Sequence, residues 1–121
     1  MKKILIVDDA KLMRNIIRKT LLEDKKYVIF EAANGEDALE CYKVNQPDLV
    51  TMDMAMDQKN GLDTAREILS FDRFAKIVII TSMGQERLMR DCIEAGIADF
   101  IVKPFSKERI RKTISNILEL N

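Results

Sequence analysis

The stretch Ile4-Leu5-Ile6-Val7-Asp8-Asp9, with Leu12-Met13 and Ile16-Ile17 beyond it, decides the fold. Four aliphatic residues in succession suit a strand covered on both faces; a sheet with one wet face would alternate apolar with polar. After the two acids the pattern changes. Leu12, Met13, Ile16, Ile17, Thr20 and Leu21 recur at intervals of three and four, the period of a helix with one apolar face. The same alternation then repeats along the chain. Apolar runs at 28–30, 49–52, 77–80 and 100–102 are each followed by a stretch of helical period, the last carrying Ile110, Thr113, Ile114, Ile117 and Leu118.

Boundary residues agree with this division. Asn34 with Asp37 three residues on suits a helix start, Ser106 before Lys107-Glu108 suits the last one, and Gly96 suits a stop. Gln46-Pro47-Asp48 breaks the second helix ahead of the third strand. Five strands alternating with five helices predict an α/β domain, a parallel sheet with helices on both faces. A closed barrel would need about eight such units, so the open doubly wound sheet is expected, as one domain over residues 1–121.

Composition narrows the chemistry. The 121 residues hold 20 Lys and Arg, 20 Asp and Glu, no His and no Trp, which excludes Ser-His-Asp and Cys-His catalysis, His-based zinc sites and a phosphohistidine carrier. A net charge of zero argues against nucleic-acid binding, yet residues 31–63 carry eight acids against Lys43 and Lys59 and would attract cations. No run approaches the roughly 18 apolar residues of a membrane span, and Met1-Lys2-Lys3 does not open a signal peptide, so a cytoplasmic protein without a membrane partner is expected. Cys41 and Cys92 read as small reduced apolar residues. The methionines, among them Met13, Met52, Met54, Met56, Met83 and Met89, read as adaptable packing.

In a parallel sheet all strands end on one edge, so the residues following the apolar runs meet there. They are Asp8 and Asp9, Asp53, Thr81 and Lys103. Three carboxylates close together repel one another, and a single lysine does not neutralise them, which suggests a bound cation. Oxygen donors without His or Cys fit a hard ion, Mg²⁺ best, since it accepts one or two carboxylates and bridges to phosphoryl oxygens. With Lys103 opposite the metal and the Thr81 hydroxyl as a further donor, such a site would stabilise a phosphoryl group in transfer. Asp53, at the end of the central strand, is the candidate nucleophile and would form an acyl phosphate.

These residues carry a family resemblance. Residues 4–9, Ala33-Asn34-Gly35-Glu36-Asp37-Ala38-Leu39, Pro47-Asp48-Leu49-Val50-Thr51-Met52-Asp53, Asn60-Gly61 and Ala98-Asp99-Phe100-Ile101-Val102-Lys103-Pro104-Phe105 resemble the receiver domain of two-component response regulators, of the stand-alone CheY-like kind. The resemblance runs from residue 3 to about 118. It implies a flavodoxin-like sheet of strand order 2-1-3-4-5. It also implies phosphorylation of Asp53 by a histidine kinase, with Mg²⁺ held by Asp9, Asp53 and the carbonyl of Ala55, and by Asp8 through water. Thr81 and Lys103 would contact the phosphoryl oxygens, the Lys103-Pro104 bond would be cis, and Phe100 would swing inward with Thr81 as the switch. A receiver is a phosphoacceptor that catalyses its own phosphorylation and dephosphorylation rather than an enzyme acting on a separate substrate.

The chain departs from the family at several points. Asp57 stands where Pro is usual, Ser82 where Ala or Gly is usual, and Ala55 and Met83 occupy positions that tune hydrolysis without being able to orient a water, which implies intrinsic turnover or a separate phosphatase. The last helix-strand-helix unit, with Arg87, Arg90, Phe100, Arg109, Arg111 and Lys112, is the expected readout face. With a chain ending just past the fifth helix, output is expected through a partner protein, and the blocks around Thr81 and Asp53 resemble chemotaxis members, so a flagellar motor switch protein is the expected target. Two alternatives stay open: a receiver cut from a longer regulator, such as a DNA-binding one, and an aspartyl-nucleophile phosphatase, which usually has a second acid where Ala55 stands. A flavodoxin-like cofactor binder fits less well, because Asp8-Asp9 would repel a phosphate.

Overall fold

The computed structural model describes residues 1–56 and 59–119. In chain order the elements are β1 (Lys2–Val7), α1 (Lys11–Leu22), β2 (Tyr27–Ala32), α2 (Gly35–Asn45), β3 (Leu49–Asp53), α3 (Gly61–Phe71), β4 (Ile77–Thr81), α4 (Glu86–Ala95), β5 (Asp99–Val102) and α5 (Lys107–Glu119). The strands form one parallel sheet of order β2-β1-β3-β4-β5, as the family resemblance implied.

Each face of the sheet has its own core. Ile17 and Leu21 of α1 and Ile110, Ile114 and Leu118 of α5 pack on one side against Ile4, Ile6, Leu49 and Val78. Ala38 and Tyr42 of α2, Leu62, Ala65 and Ile68 of α3, and Cys92 of α4 pack on the other, against Leu5, Val7, Val50, Met52 and Ile79. Alternate residues of one strand thus feed opposite cores, which is why residues 4–7 read as a continuous apolar run. Burying each Ile or Leu side chain contributes roughly 1.5–3 kcal/mol, so the central strands anchor the edge where the polar residues sit.

Burial on both faces holds for β3 and β4 throughout and for β1 from Ile4 onward. The edge strands differ: Val28 of β2 and Val102 of β5 are exposed, because an edge strand has cover from fewer helices. In α1 the buried residues are Ile17, Thr20 and Leu21, whereas Leu12 and Ile16 face solvent. Six apolar positions in twelve residues span more of the helix than one sheet face covers. Met52 and Met54 are core residues, but Met83 and Met89 are exposed, so packing accounts for only part of the methionine set.

Helix ends follow the sequence signals. The side chains of Asn34 and Ser106 accept hydrogen bonds from the backbone N–H groups of Asp37 and Arg109. Gly96 closes α4 at a φ of 96°, where only glycine is unstrained, and Gln46 ends α2 in the left-handed region ahead of Pro47. Among the described residues no helix is long and apolar enough to cross a membrane.

Candidate functional site

The C-terminal edge of the sheet collects the expected polar residues. Asp8 follows β1, Asp53 and Thr81 are the last residues of β3 and β4, and Lys103 follows β5. Register fixes their relative heights: Asp53 lies beside Ile80, Thr81 lies beside Val102, and the Lys103 N–H donates to the Thr81 carbonyl at 2.7 Å. One carboxylate oxygen from each of Asp8, Asp9 and Asp53 falls within a cluster whose members lie within 4.8 Å of one another. Lys103 Nζ donates to Asp53 Oδ1 at 3.1 Å. The Lys103-Pro104 bond is cis.

Burial sets the electrostatics. Asp8 and Asp53 are buried carboxylates, and loss of water is the main cause that lifts both above the usual carboxylate range. For Asp53 the Lys103 hydrogen bond and charge pull the other way, as does a backbone hydrogen bond from Ala55, while Asp9 pushes it up. For Asp8 the backbone N–H of Ala10, donating to Oδ1 at 2.8 Å, opposes burial, and the charge of Asp53 adds to it. Three acids against Lys103 leave a surplus of negative charge that hard oxygen donors can pass to a divalent cation. The donor set therefore fits Mg²⁺.

Thr81 is buried at the strand end, and its Oγ1 accepts the Met83 N–H at 3.1 Å, which leaves its own proton to donate. Ser82 and Ala55 are exposed at the rim. Phe100 is half-buried in β5 and lines a cavity of about 220 Å³ under α4 with Met89, Cys92, Ile93 and Ile97. Asp57 lies outside the described residues.

The basic readout set is divided by the fold. Arg109 donates to the Phe100 carbonyl at 3.0 Å and so belongs to the β5 side. Arg111 instead pairs with Glu23 and, at 3.6 Å, with Asp24 beyond the end of α1, and Lys112 lines the same groove. Two residues along a helix turn a side chain by roughly 200°, which takes Arg111 off the face of Arg109.

The sequence placed Asn60-Gly61 in the family resemblance but assigned Gly61 no role. A Cβ there would lie 2.1 Å from the Asp53 carbonyl oxygen, so the start of α3 packs directly on the backbone of the candidate phosphoacceptor. Asn60, accepting from the Asp63 N–H at 2.8 Å, caps that helix, and Asn-Gly ahead of a helical period was the available signal.

The family model for the response regulator receiver domain matches residues 4–115. The chain belongs to the response regulator receiver family. Among curated relatives, Protein CcdB of Bacillus subtilis is 47% identical over 119 residues, covering 98% of each chain. Chemotaxis protein CheY of the same organism is 44% identical over 116 residues, covering 96% of this receiver and 97% of the relative. Among solved structures, the CheX-CheY-BeF3-Mg²⁺ complex from Borrelia burgdorferi contains a chain with a TM-score of 0.91 and 29% identity, covering 97% of this receiver and 89% of that chain.

Proposed function

We propose that this receiver accepts a phosphoryl group on Asp53 from a histidine kinase and thereby changes its affinity for a partner protein in chemotaxis. The observation that carries the reading is the contact of Lys103 with Asp53 beside the clustered Asp8 and Asp9. An Asp53 carboxylate oxygen attacks phosphorus, the P–N bond to the donor imidazole breaks, and the leaving nitrogen keeps the electron pair. Lys103 neutralises a phosphoryl oxygen and the Thr81 hydroxyl donates to another. Mg²⁺, which Asp9, Asp53 and the Ala55 carbonyl would hold directly and Asp8 through water, would supply the remaining positive charge. Hydrolysis of the acyl phosphate resets the protein.

In this reading the chain works in the cytoplasm as a single receiver domain, and Thr81 and Phe100 form the switch. Phe100 is half-buried and borders a cavity under α4, so its ring is only partly packed, which supports a mobile role. Kinship with proteins named for chemotaxis supports a flagellar motor switch protein as target, and a structural neighbour captured in complex with a second protein, CheX, supports action through protein partners. Since neither Ala55 nor Met83 can orient a water, a separate phosphatase is part of this reading. The aspartyl-phosphatase alternative lacks a general acid, since Ala55 stands where it would be needed.

The test is intact mass after incubation with a small-molecule phosphodonor, with and without Mg²⁺, for the wild type and Asp53→Asn. One labile phosphoryl adduct that requires Mg²⁺ and is absent from the variant is expected. No adduct on a folded wild type that binds Mg²⁺ would refute phosphoacceptor function.

A further inference from the structure

The turn that carries Asp8 and Asp9 is held in place from outside the acidic cluster. Asp8 lies past the end of β1, and its N–H donates to the carbonyl of Ala32, the last residue of β2, at 3.1 Å. Its carbonyl accepts from Arg14 Nη1 at 2.7 Å. Arg14 sits one turn into α1, and its Nε donates to Glu31 Oε1 at 3.1 Å, on the strand residue preceding Ala32. The guanidinium therefore ties the peptide of Asp8 to the end of β2, and only 15% of its side chain is exposed. The N-cap residue of α1, Ala10, has no side chain to cap the helix, although its own N–H donates to Asp8 Oδ1 at 2.8 Å, so Arg14 adds a brace from outside the turn to one made within it.

From this geometry we infer that Arg14 is a positioning residue for the metal site, acting through the Asp8 carbonyl and anchored by Glu31. The inference rests on the receiver reading, because it assumes that Asp8 and Asp9 face a cation. Its logic is mechanical. Three clustered carboxylates repel one another in the metal-free protein, and that repulsion tends to open the three-residue turn between β1 and α1. A planar fork that donates to two strands' worth of acceptors at once resists that opening, which a single ammonium cannot do. Partners that orient metal ligands from outside typically change metal affinity about 10- to 100-fold when removed.

The sign of the effect separates this role from simple charge. Arg14 is a cation near an acidic cluster, so if its charge alone mattered, its removal would tighten Mg²⁺ binding. If it positions the turn, its removal weakens binding. The experiment is a titration of the purified protein with MgCl₂ alone, followed by amide chemical shifts, for the wild type, Arg14→Ala, Arg14→Lys, Glu31→Ala and Arg18→Ala. Arg14→Ala is expected to raise the Mg²⁺ dissociation constant about tenfold and to speed hydrogen exchange at the Asp8 and Ala10 amides without metal. Arg14→Lys keeps the charge and loses the fork, so it should also weaken binding. Arg18 reaches the same Glu31, at 3.9 Å, without touching Asp8, so Arg18→Ala should leave the constant unchanged. Should Arg14→Ala fail to fold, Arg14→Lys carries the affinity test, and Glu31→Ala, whose lost acid would weaken Mg²⁺ binding by charge alone, is read instead by faster hydrogen exchange at the Asp8 and Ala10 amides without metal. An unchanged or tighter constant in a folded Arg14 variant, or unchanged exchange in Glu31→Ala, overturns the inference and leaves the receiver reading standing. A folded wild type that binds no Mg²⁺ overturns both.

Discussion

Replacing Gly61 by alanine tests whether the close approach of α3 to Asp53 is a requirement of the site. The added Cβ would meet the Asp53 carbonyl oxygen at 2.1 Å, the Asp53 carbonyl carbon at 2.9 Å and Met52 Cγ at 3.0 Å. The two closest atoms are backbone, so no rotamer change relieves them. Helix and strand must part by roughly 1 Å, and the Gly61 N–H bond to the Met54 carbonyl, now 2.8 Å, stretches with them. Overpacking of this kind costs about 1–3 kcal/mol, and a weakened backbone hydrogen bond adds about 1 kcal/mol. Better helix propensity returns at most about 1 kcal/mol, less at a first-turn position. The net is about 2 kcal/mol of destabilisation, or roughly 8 °C in Tm for a chain of this size. A displacement of about 1 Å at the nucleophile should also slow phosphorylation on the order of 100-fold. Thermal unfolding by circular dichroism and adduct formation by intact mass read the two effects. Gly84→Ala is the control, because its Cβ would first touch Val102 at 3.4 Å and should cost little. If Gly61→Ala unfolds within about 2 °C of wild type and is phosphorylated as fast, the close-packing argument is wrong.

Two further outcomes are expected. Burial raises Asp8 and Asp53 above the usual carboxylate range, so between their unfolded and raised folded values the native state binds more protons than the unfolded one, and these two groups make stability fall as pH rises. Metal-free Asp8→Asn should therefore melt higher than wild type at neutral pH, and Mg²⁺ should stabilise the wild type more than the variant; a lower melting temperature for Asp8→Asn would show that the buried charge is not a burden. Ala55 is exposed at the rim with no group to orient a water, so Ala55→Asn should speed acyl-phosphate hydrolysis about tenfold, near 1.4 kcal/mol off the barrier, and an unchanged decay of the adduct mass with time would contradict this.

The sheet was legible because its central strands are buried on both faces, which leaves short continuous apolar runs such as residues 4–7 between stretches of helical period. The site was legible for a related reason: strand ends of a parallel sheet share an edge, so Asp8, Asp53, Thr81 and Lys103 could be grouped without knowing any distance. Strand order was not available from pattern, since right-handed crossovers allow more than one winding, and it came with the family resemblance. The roles of Arg14 and of Gly61, which was quoted only as part of the resemblance, were not legible, for opposite reasons. Arg14 acts through a backbone carbonyl, which leaves no trace in residue type, and Gly61 acts by lacking atoms. Arg111 was misplaced because a run of basic residues on one helix does not say which of them faces which neighbour.

Charge balance connects the site to the readout face in the proposed mechanism. Asp8, Asp9 and Asp53 carry three negative charges, Lys103 returns one, and a divalent cation would bring the cluster to neutrality. Phosphorylation replaces the Asp53 carboxylate by a group of about two negative charges, so one unit appears that neither Lys103 nor the metal was needed to balance before. The group left to meet it is the Thr81 hydroxyl, whose proton can turn to a phosphoryl oxygen. That hydroxyl now accepts the Met83 N–H, at the start of the loop leading into α4. Drawing Thr81 toward the phosphoryl group strains or releases that bond, and the Met83 peptide must find another acceptor by moving. Met83 leads into α4, whose Met89, Cys92 and Ile93 line the cavity beside Phe100, so in the proposed mechanism the charge change would reach the α4–β5 surface through that hydrogen bond.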